Sequence, residues 1–370
     1  MTSRQRLLLL SDPEHLWQEA LAAGLVGRSK EPLNCETPAP LLGTDVTPTD
    51  RFFRRNHFPI PELDAATWQL EIHGLVRRPL TLGLDELNQF GSESIEAVLE
   101  CAGNGRTQFS PLPEGERWGL GAVSSAKWTG VRLADVLARA EILPQAREVI
   151  FRGADRGTVQ ELPETIAFER SLRVDEAMQA GALLATGMNG QPLPARHGYP
   201  VRLVVPGRYA VASVKWLTEI VVTDQKFEGF FQANHYVYEW QRDGASVREP
   251  VGVPRVRAMI TSPAAGDELA RGTIFTVRGL AWSGAAPVTR VEVSMDGGAW
   301  RDARLAGTPG RHGWQQWELP DAQAGASAAT TIRARATDQA GRTQSESEPP
   351  EWNRLGYGGN FIHEVTVRLR

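Results

Sequence analysis

The sequence predicts an α+β chain in two parts, a mixed α/β domain over residues 1–250 and an immunoglobulin-like β-sandwich over 251–370. Three observations predict it. Strand and helix patterns interleave from Trp68 to Pro206. The character changes at Val251-Gly-Val-Pro-Arg-Val256. Beyond that point short strands follow at even spacing with almost no helical periodicity. A length of 370 residues also suits two cores better than one.

Taken in order, Pro13 to Leu25 reads as a helix, and Glu36-Thr-Pro-Ala-Pro40 as an extended arm lying on a surface. Trp68 to Gly74 alternates apolar and polar residues, which predicts a half-buried strand closed by a glycine. Leu84 to Phe90 is a short helix, and Ser94 to Glu100 a strand running into Cys101. Val131 to Ala140 repeats apolar residues at helical spacing, whereas Glu148 to Arg152 and Val201 to Pro206 are strands bounded by glycine and proline. In the second part, Ile274 to Gly279, Val288 to Ser294 and Thr331 to Ala336 alternate as sandwich strands do. Asp296-Gly-Gly298 supplies a hairpin turn.

Composition narrows the function classes. The chain is 41% hydrophobic and 23% charged, with a net charge of −4, which disfavours nucleic-acid and membrane-surface partners. Its 40 lysines and arginines still suffice for local anion sites. Two cysteines, Cys35 and Cys101, read as unlinked thiols rather than a disulfide framework. Leu7 to Leu10 is too short for a signal-peptide core, and no apolar run reaches the length of a membrane span. A soluble protein is the expectation, cytoplasmic with the periplasm as the alternative.

Three segments carry the chemistry. In Glu100-Cys-Ala-Gly-Asn-Gly-Arg106, the cysteine alone would pass for a small buried hydrophobe. Gly103 and Gly105, however, let the backbone fold tightly around the sulfur, and Arg106 favours its thiolate. Such a thiolate serves as a nucleophile or as a soft metal ligand. A protease would need a histidine base from among the seven histidines, and no CxxC or HxxxH spacing accompanies the cysteine to suggest zinc. The loop alone leaves nucleophile and metal ligand open.

In Phe52-Phe-Arg-Arg-Asn-His-Phe-Pro-Ile-Pro61, Arg54 by itself reads as a solvated charge. Arg55, Asn56 and His57 together read as an anion site. In the third segment Arg196, His197, Arg202, Arg208 and Lys215 gather around an apolar strand. They form either a solvated edge or, with the proline and glycine punctuation, a cradle for a phosphate-bearing cofactor.

In this order the segments resemble the sulfite oxidase family of molybdenum-cofactor enzymes, from about Glu36 to the C-terminus. The resemblance rests on Arg55-Asn-His57, Glu100-Cys-Ala-Gly-Asn104, Ala126-Lys-Trp-Thr-Gly130, Met188 to Pro194, His197-Gly-Tyr-Pro-Val-Arg202, Val214-Lys-Trp-Leu217 and Ala281-Trp-Ser-Gly284. It implies a sulfite-oxidase-type molybdopterin-binding domain followed by a sandwich that mediates homodimerisation. It implies Cys101 as the thiolate on molybdenum. Phe53, Arg54, Arg55, Asn56, His57, Asp155, His197, Arg202, Ser213, Val214 and Lys215 match positions that grip the pterin and its phosphate. Arg55, Arg106, Trp118 and Tyr236 match the catalytic anion pocket.

The implied reaction is oxidation of sulfite to sulfate by oxo transfer, and the nearest alternative is nitrate reduction at a related molybdenum centre. A cofactor-free binding or docking protein is the reading from a different class. Two departures stand out: Gly105 replaces the first of two adjacent arginines, and Trp352-Asn-Arg-Leu-Gly356 puts Leu355 where relatives carry an arginine. Neither a cytochrome b5-like haem domain nor a CxxCH site is present in the sequence, so no haem is expected. Electrons are expected to pass to an external acceptor, whether oxygen, a cytochrome or another carrier.

Overall fold

The computed structural model describes residues 12–370 except 44, 180 and 326; the leucine run at Leu7 to Leu10 lies outside the described residues. Asp12 caps the first helix, Pro13–Ala22, by accepting the Glu14 and His15 amides. The helix buries Leu16 and Ala20 against Leu25, Leu33 and Cys35. Glu36 to Pro40 is not the surface arm its composition predicts. Thr37 is wholly buried, its amide donating to the Gly121 carbonyl at 2.9 Å and its hydroxyl to the Arg51 carbonyl at 2.6 Å. With these partners inside the fold, the polar run has no need of water.

Two five-stranded sheets frame the first part. One orders Gln191–Pro192, Leu183–Met188, Val123–Arg132 and Glu93–Glu100, with Arg202–Val204 also pairing onto Leu183–Met188. The other orders Leu80–Leu82, Leu70–Gly74, Leu217–Thr223, Glu148–Val159 and Leu162–Arg173. The helix expected from Val131 begins instead at Leu133, because Val131 and Arg132 extend the sheet opposite Leu184 and Leu183. From there Leu133, Val136, Leu137 and Ala140 are buried at helical spacing, packed with Leu70, Ile72 and Val149. The strand expected over Val201 to Pro206 shortens to Arg202–Val204, between prolines that cannot donate to a ladder. Among the described residues no helix is long and apolar enough to cross a membrane.

From Arg257 onward two sheets face one another. One runs Arg257–Ser262, Ile274–Trp282, Gln315–Gln323 and Arg304–Ala306. The other runs Glu268–Leu269, His363–Leu369, Ala329–Asp338, Val288–Met295 and Arg301–Asp302. Alternating side chains such as Ile332, Ala334 and Ala336 fill the space between them together with Val277, Trp317 and Val367. Asp296 and Gly297 have φ of 50° and 71°, as a tight hairpin after Val288–Met295 requires. The stretch around residues 353–359 leaves this sandwich. Leu355 and Tyr357 join the core of the first part, and the Gly358 amide donates to the Ala102 carbonyl at 2.9 Å.

Candidate active site

Strand Glu93–Glu100 runs from an exposed start to a buried end and delivers Cys101 to the interior, where it is 5% exposed. The loop closes on itself: the Cys101 amide donates to the Ala122 carbonyl, and the Asn104 amide to the Cys101 carbonyl, both at 2.9 Å. Gly105 has φ of +82°, and a Cβ there would lie 2.8 Å from the Gly359 carbonyl oxygen. The glycine that departs from the two-arginine pattern is thus required by the close approach of residues 358–359. Arg106 folds back over the loop, donating from Nε to the Leu355 carbonyl at 2.8 Å and from Nη1 to the Glu116 carbonyl at 2.5 Å. Burial pushes the Cys101 thiol up, opposed by Arg55 and Arg106.

Cys101 lies between two cavities. The larger, about 680 Å³, is lined by Phe53, Arg54, Arg55, Asn56, His57, Asp155, Arg196, His197, Arg202, Ser213 and Lys215. The smaller, about 320 Å³, is lined by Arg106, Glu116, Trp118, His235, Leu355 and Tyr357. Arg55, Cys101 and Tyr236 line both. Three sequence segments, with Tyr236 and Trp118, therefore meet around one sulfur.

The larger cavity is strongly cationic. Arg202, 4% exposed, donates to the His197 carbonyl at 3.0 Å and the Ser213 carbonyl at 3.1 Å, and lies 4.8 Å over the Trp128 ring. Lys215 donates to the Arg55 carbonyl at 3.1 Å and to the Asn56 side-chain oxygen. Asp155 is the carboxylate in this lining, and its buried Oδ1 has no hydrogen-bond partner among the described residues. Burial lowers Arg202 to about 9 and pulls Lys215 well down, while it raises Asp155 to about 7 against the pull of Lys215. His197 and His57 are held well below the usual histidine range, again by burial first and neighbouring cations second. A largely buried cavity with this excess of positive groups favours a polyanion.

One sequence expectation is corrected here. Arg54 is no solvated charge: it is 1% exposed, donates to the Leu16 carbonyl at 2.9 Å and pairs with Glu19 at 3.3 Å. The first helix covers it. Val214 turns its side chain into the hydrophobic core, which leaves its backbone as the part that faces the run of Ser213 and Lys215. Its backbone carbonyl accepts the Leu203 amide at 2.7 Å, which holds Ser213 and Lys215 in place on either side.

On the wall the two cavities share, the Tyr236 hydroxyl lies 2.8 Å from Nε2 of His57, which lines the larger cavity. A short π-helix, Phe231–His235, brings Tyr236 to this point. Its ring stacks on Tyr357 at 5.2 Å and 16°, and the Arg170 guanidinium lies 5.7 Å over it. Burial raises Tyr236, lowers His235 to about 4 and lowers Arg170 to about 10. The Trp118 indole is buried with its Nε1 unpartnered among the described residues. Sequence reasoning missed Tyr357, Arg170 and His235. Arg170 stands far in the chain from the Cys101 loop with no motif to mark it, whereas Tyr357 directly follows Trp352-Asn-Arg-Leu-Gly356 and His235 directly precedes Tyr236.

The arginine that follows Trp352-Asn353 does not enter the pocket. Arg354 pairs outward with Glu114 at 2.7 Å and Glu239 at 3.0 Å, and Leu355 lines the smaller cavity instead.

Comparison with known proteins bears on this geometry. Residues 57–231 match the oxidoreductase molybdopterin binding domain family, and residues 251–370 the Mo-co oxidoreductase dimerisation domain family. The chain is 36% identical to the mitochondrial sulfite oxidase of Homo sapiens, covering 92% of this chain; it spans 65% of that relative's length. It is 32% identical to the sulfite oxidase of Arabidopsis thaliana, covering 92% of this chain and 93% of the relative. The crystal structure of the sulfane dehydrogenase SoxCD from Paracoccus pantotrophus matches with a TM-score of 0.79 and 29% identity, over 91% of this chain and 84% of the other.

Proposed function

We propose, since the chain belongs to the sulfite oxidase family of molybdopterin oxidoreductases, that it oxidises sulfite to sulfate at a molybdenum cofactor held where its two cavities meet. The observation that carries this reading is the wall of Arg55, Cys101 and Tyr236 common to both cavities. It gives one sulfur access to a large cationic chamber and to a smaller one lined by Arg55 and Arg106.

The residues present fit such a cofactor. Cys101 offers a soft donor, which suits a thiophilic metal. Arg55, Arg202 and Lys215, with the Ser213 hydroxyl and His197, would hold the phosphate-bearing pterin. The unpartnered Asp155 oxygen is an acceptor for ring N–H groups. Bound there, the cofactor supplies two-electron redox chemistry and oxygen-atom transfer.

The chain's own residues do the rest. Arg55 and Arg106 offset the charge of sulfite in surroundings of low dielectric, where each interaction counts for more than in water. Trp118 directs a free indole N–H into the buried region, and Leu355 and Tyr357 exclude water. Sulfite and water together yield sulfate, two protons and two electrons. Tyr236 carries a proton at its hydroxyl beside neutral His57, and in the tautomer that leaves Nε2 unprotonated the imidazole accepts its hydrogen bond, so the pair suits proton removal. The electrons go to an external acceptor, and two copies of the chain pair through residues 251–370.

The test is direct. Purified chain should contain about one molybdenum per polypeptide, reduce an artificial electron carrier in the presence of sulfite, and show no nitrate reduction with a low-potential donor. Fully loaded protein that ignores sulfite overturns the reading. Nitrate turnover would transfer it to the related reduction, and protein that takes up no molybdenum would point to a docking role.

Within this reading, Tyr236→Phe keeps the ring stacked on Tyr357 and loses the hydroxyl beside His57. Expected is a fall in kcat of about 100-fold, the lower end of what a positioned proton-transfer group contributes. Melting temperature should be near parental. Rapid-mixing kinetics of sulfite-driven reduction would check it.

A further inference from the structure

Glu100, directly before Cys101, is 2% exposed, and both its oxygens are engaged. Oε1 accepts from the Asn104 side-chain amide at 3.0 Å and lies 3.3 Å from Arg257 Nε. Oε2 accepts from the Trp282 indole at 2.9 Å. Arg257, 3% exposed, also donates from Nη2 to the Asn104 carbonyl at 3.2 Å and the Gly359 carbonyl at 2.5 Å. The Asn104 side-chain oxygen in turn accepts the Ala122 amide at 3.1 Å. Residues 100–104 are thus gripped at both ends by side chains of the sandwich.

Arg257 and Trp282 are register partners on adjacent antiparallel strands, so both grips come from a single cross-strand pair. In extended backbone, successive side chains point to opposite sides. Pinning the Glu100 carboxylate on one side therefore sets the direction in which the Cys101 sulfur leaves the strand on the other. A buried ion pair is a poor source of stability, since an apolar pair of the same volume does as well or better. What it provides is one defined geometry.

We infer that Arg257 and Trp282 are positioning residues for Cys101, making the sandwich part of the apparatus that aims the thiolate. The inference rests on the reading of Cys101 as the metal ligand. Loss of an outer partner that orients a metal ligand typically costs about 10–100-fold in affinity or activity. The close packing of Gly105 against this clamp fits the same role: a Cβ there would meet Arg257 Nη1 at 3.2 Å.

The experiment uses full-length chain carrying Trp282→Phe, which removes the donor and keeps a ring in the cluster with Met259, Leu280 and Trp314. Arg257→Met and Arg257→Lys accompany it. In molybdenum-loaded protein the expected outcome is parental metal content, an altered Mo(V) paramagnetic signal, and kcat lowered about tenfold with KM unchanged, the lysine variant recovering part of the loss. Hydrogen exchange on the metal-free chain is the second readout: amides of residues 104–106 should exchange about tenfold faster in Trp282→Phe. A parental signal, kcat and exchange pattern, with at most a lower melting temperature, overturns the inference. If parental protein takes up no molybdenum, the ligand reading of Cys101 fails, while the exchange result still decides whether the clamp orders the loop.

Discussion

Cys101→Ser is expected to lower sulfite turnover by more than about 100-fold, beyond the 10–100-fold range typical for loss of an outer partner of a metal ligand. The substitution changes one atom in a densely packed place. Cys101 sits in a cluster with Phe52, Phe53, Leu99, Trp118 and Trp128. A serine hydroxyl there keeps nearly the same volume, and leaving it without a partner costs about 1–3 kcal/mol. At roughly 2–4 °C per kcal/mol for a large domain, melting temperature falls by no more than about 12 °C.

The donor chemistry changes far more than the packing. A neutral alcohol is a hard, weakly acidic donor and does not replace a thiolate toward a soft metal. The cationic cavity is built from Arg55, Arg202 and Lys215, which do not depend on the sulfur, so pterin should remain bound at close to one per chain. Released pterin can be measured by its fluorescence after oxidation, alongside turnover. Near-parental turnover in this variant would make the ligand assignment wrong. Loss of pterin together with turnover would mean instead that the sulfur helps hold the cofactor.

The parts of the fold legible in the sequence were those set by local periodicity. Leu133, Val136, Leu137 and Ala140 give a helix, Ile332, Ala334 and Ala336 a strand, and Asp296-Gly297 a hairpin turn, each from spacing and backbone preference alone. Legibility failed where a distant segment decided the outcome. Thr37 looks like surface until Gly121 supplies its partner, and Arg54 looks solvated until the first helix lies across it. At the site, motif likeness assembled Arg55, Cys101, Arg202 and Lys215 on one cavity. Tyr357 and Arg170, which sandwich Tyr236, come from other regions of the chain, and Arg170 leaves no local mark.

The second large effect is expected at Leu355. Arg354 and Leu355 differ by one position in an irregular turn, and the turn is held fast: the Asn353 side chain accepts the Tyr357 amide at 2.9 Å and donates to the Tyr357 carbonyl at 3.0 Å. Arg354 is further tied outward by Glu114 and Glu239, so it cannot trade places with Leu355 without losing two ion pairs. The smaller cavity therefore has the Arg55 and Arg106 guanidiniums for an incoming anion, and Arg106 already spends Nε and Nη1 on backbone carbonyls.

Leu355→Arg adds a third guanidinium at this wall. A charge-assisted hydrogen bond contributes about 1.5–3 kcal/mol, so KM for sulfite should fall by roughly 10- to 100-fold. The same charge lies beside Arg106 and replaces a core leucine that is 5% exposed, which lowers stability of the free protein. Binding offsets that loss because an anion that prefers the folded state stabilises it by an amount that grows with the logarithm of its concentration over Kd. Sulfate, the product, should accordingly raise the melting temperature of Leu355→Arg more than that of the parent, while Arg354→Leu leaves KM where it was. Unchanged KM and an unchanged sulfate response in Leu355→Arg would show that the new guanidinium does not reach the anion. The pocket's selectivity would then lie with Arg55, Arg106 and the aromatic walls, and charge count at residue 355 would not set the preferred substrate.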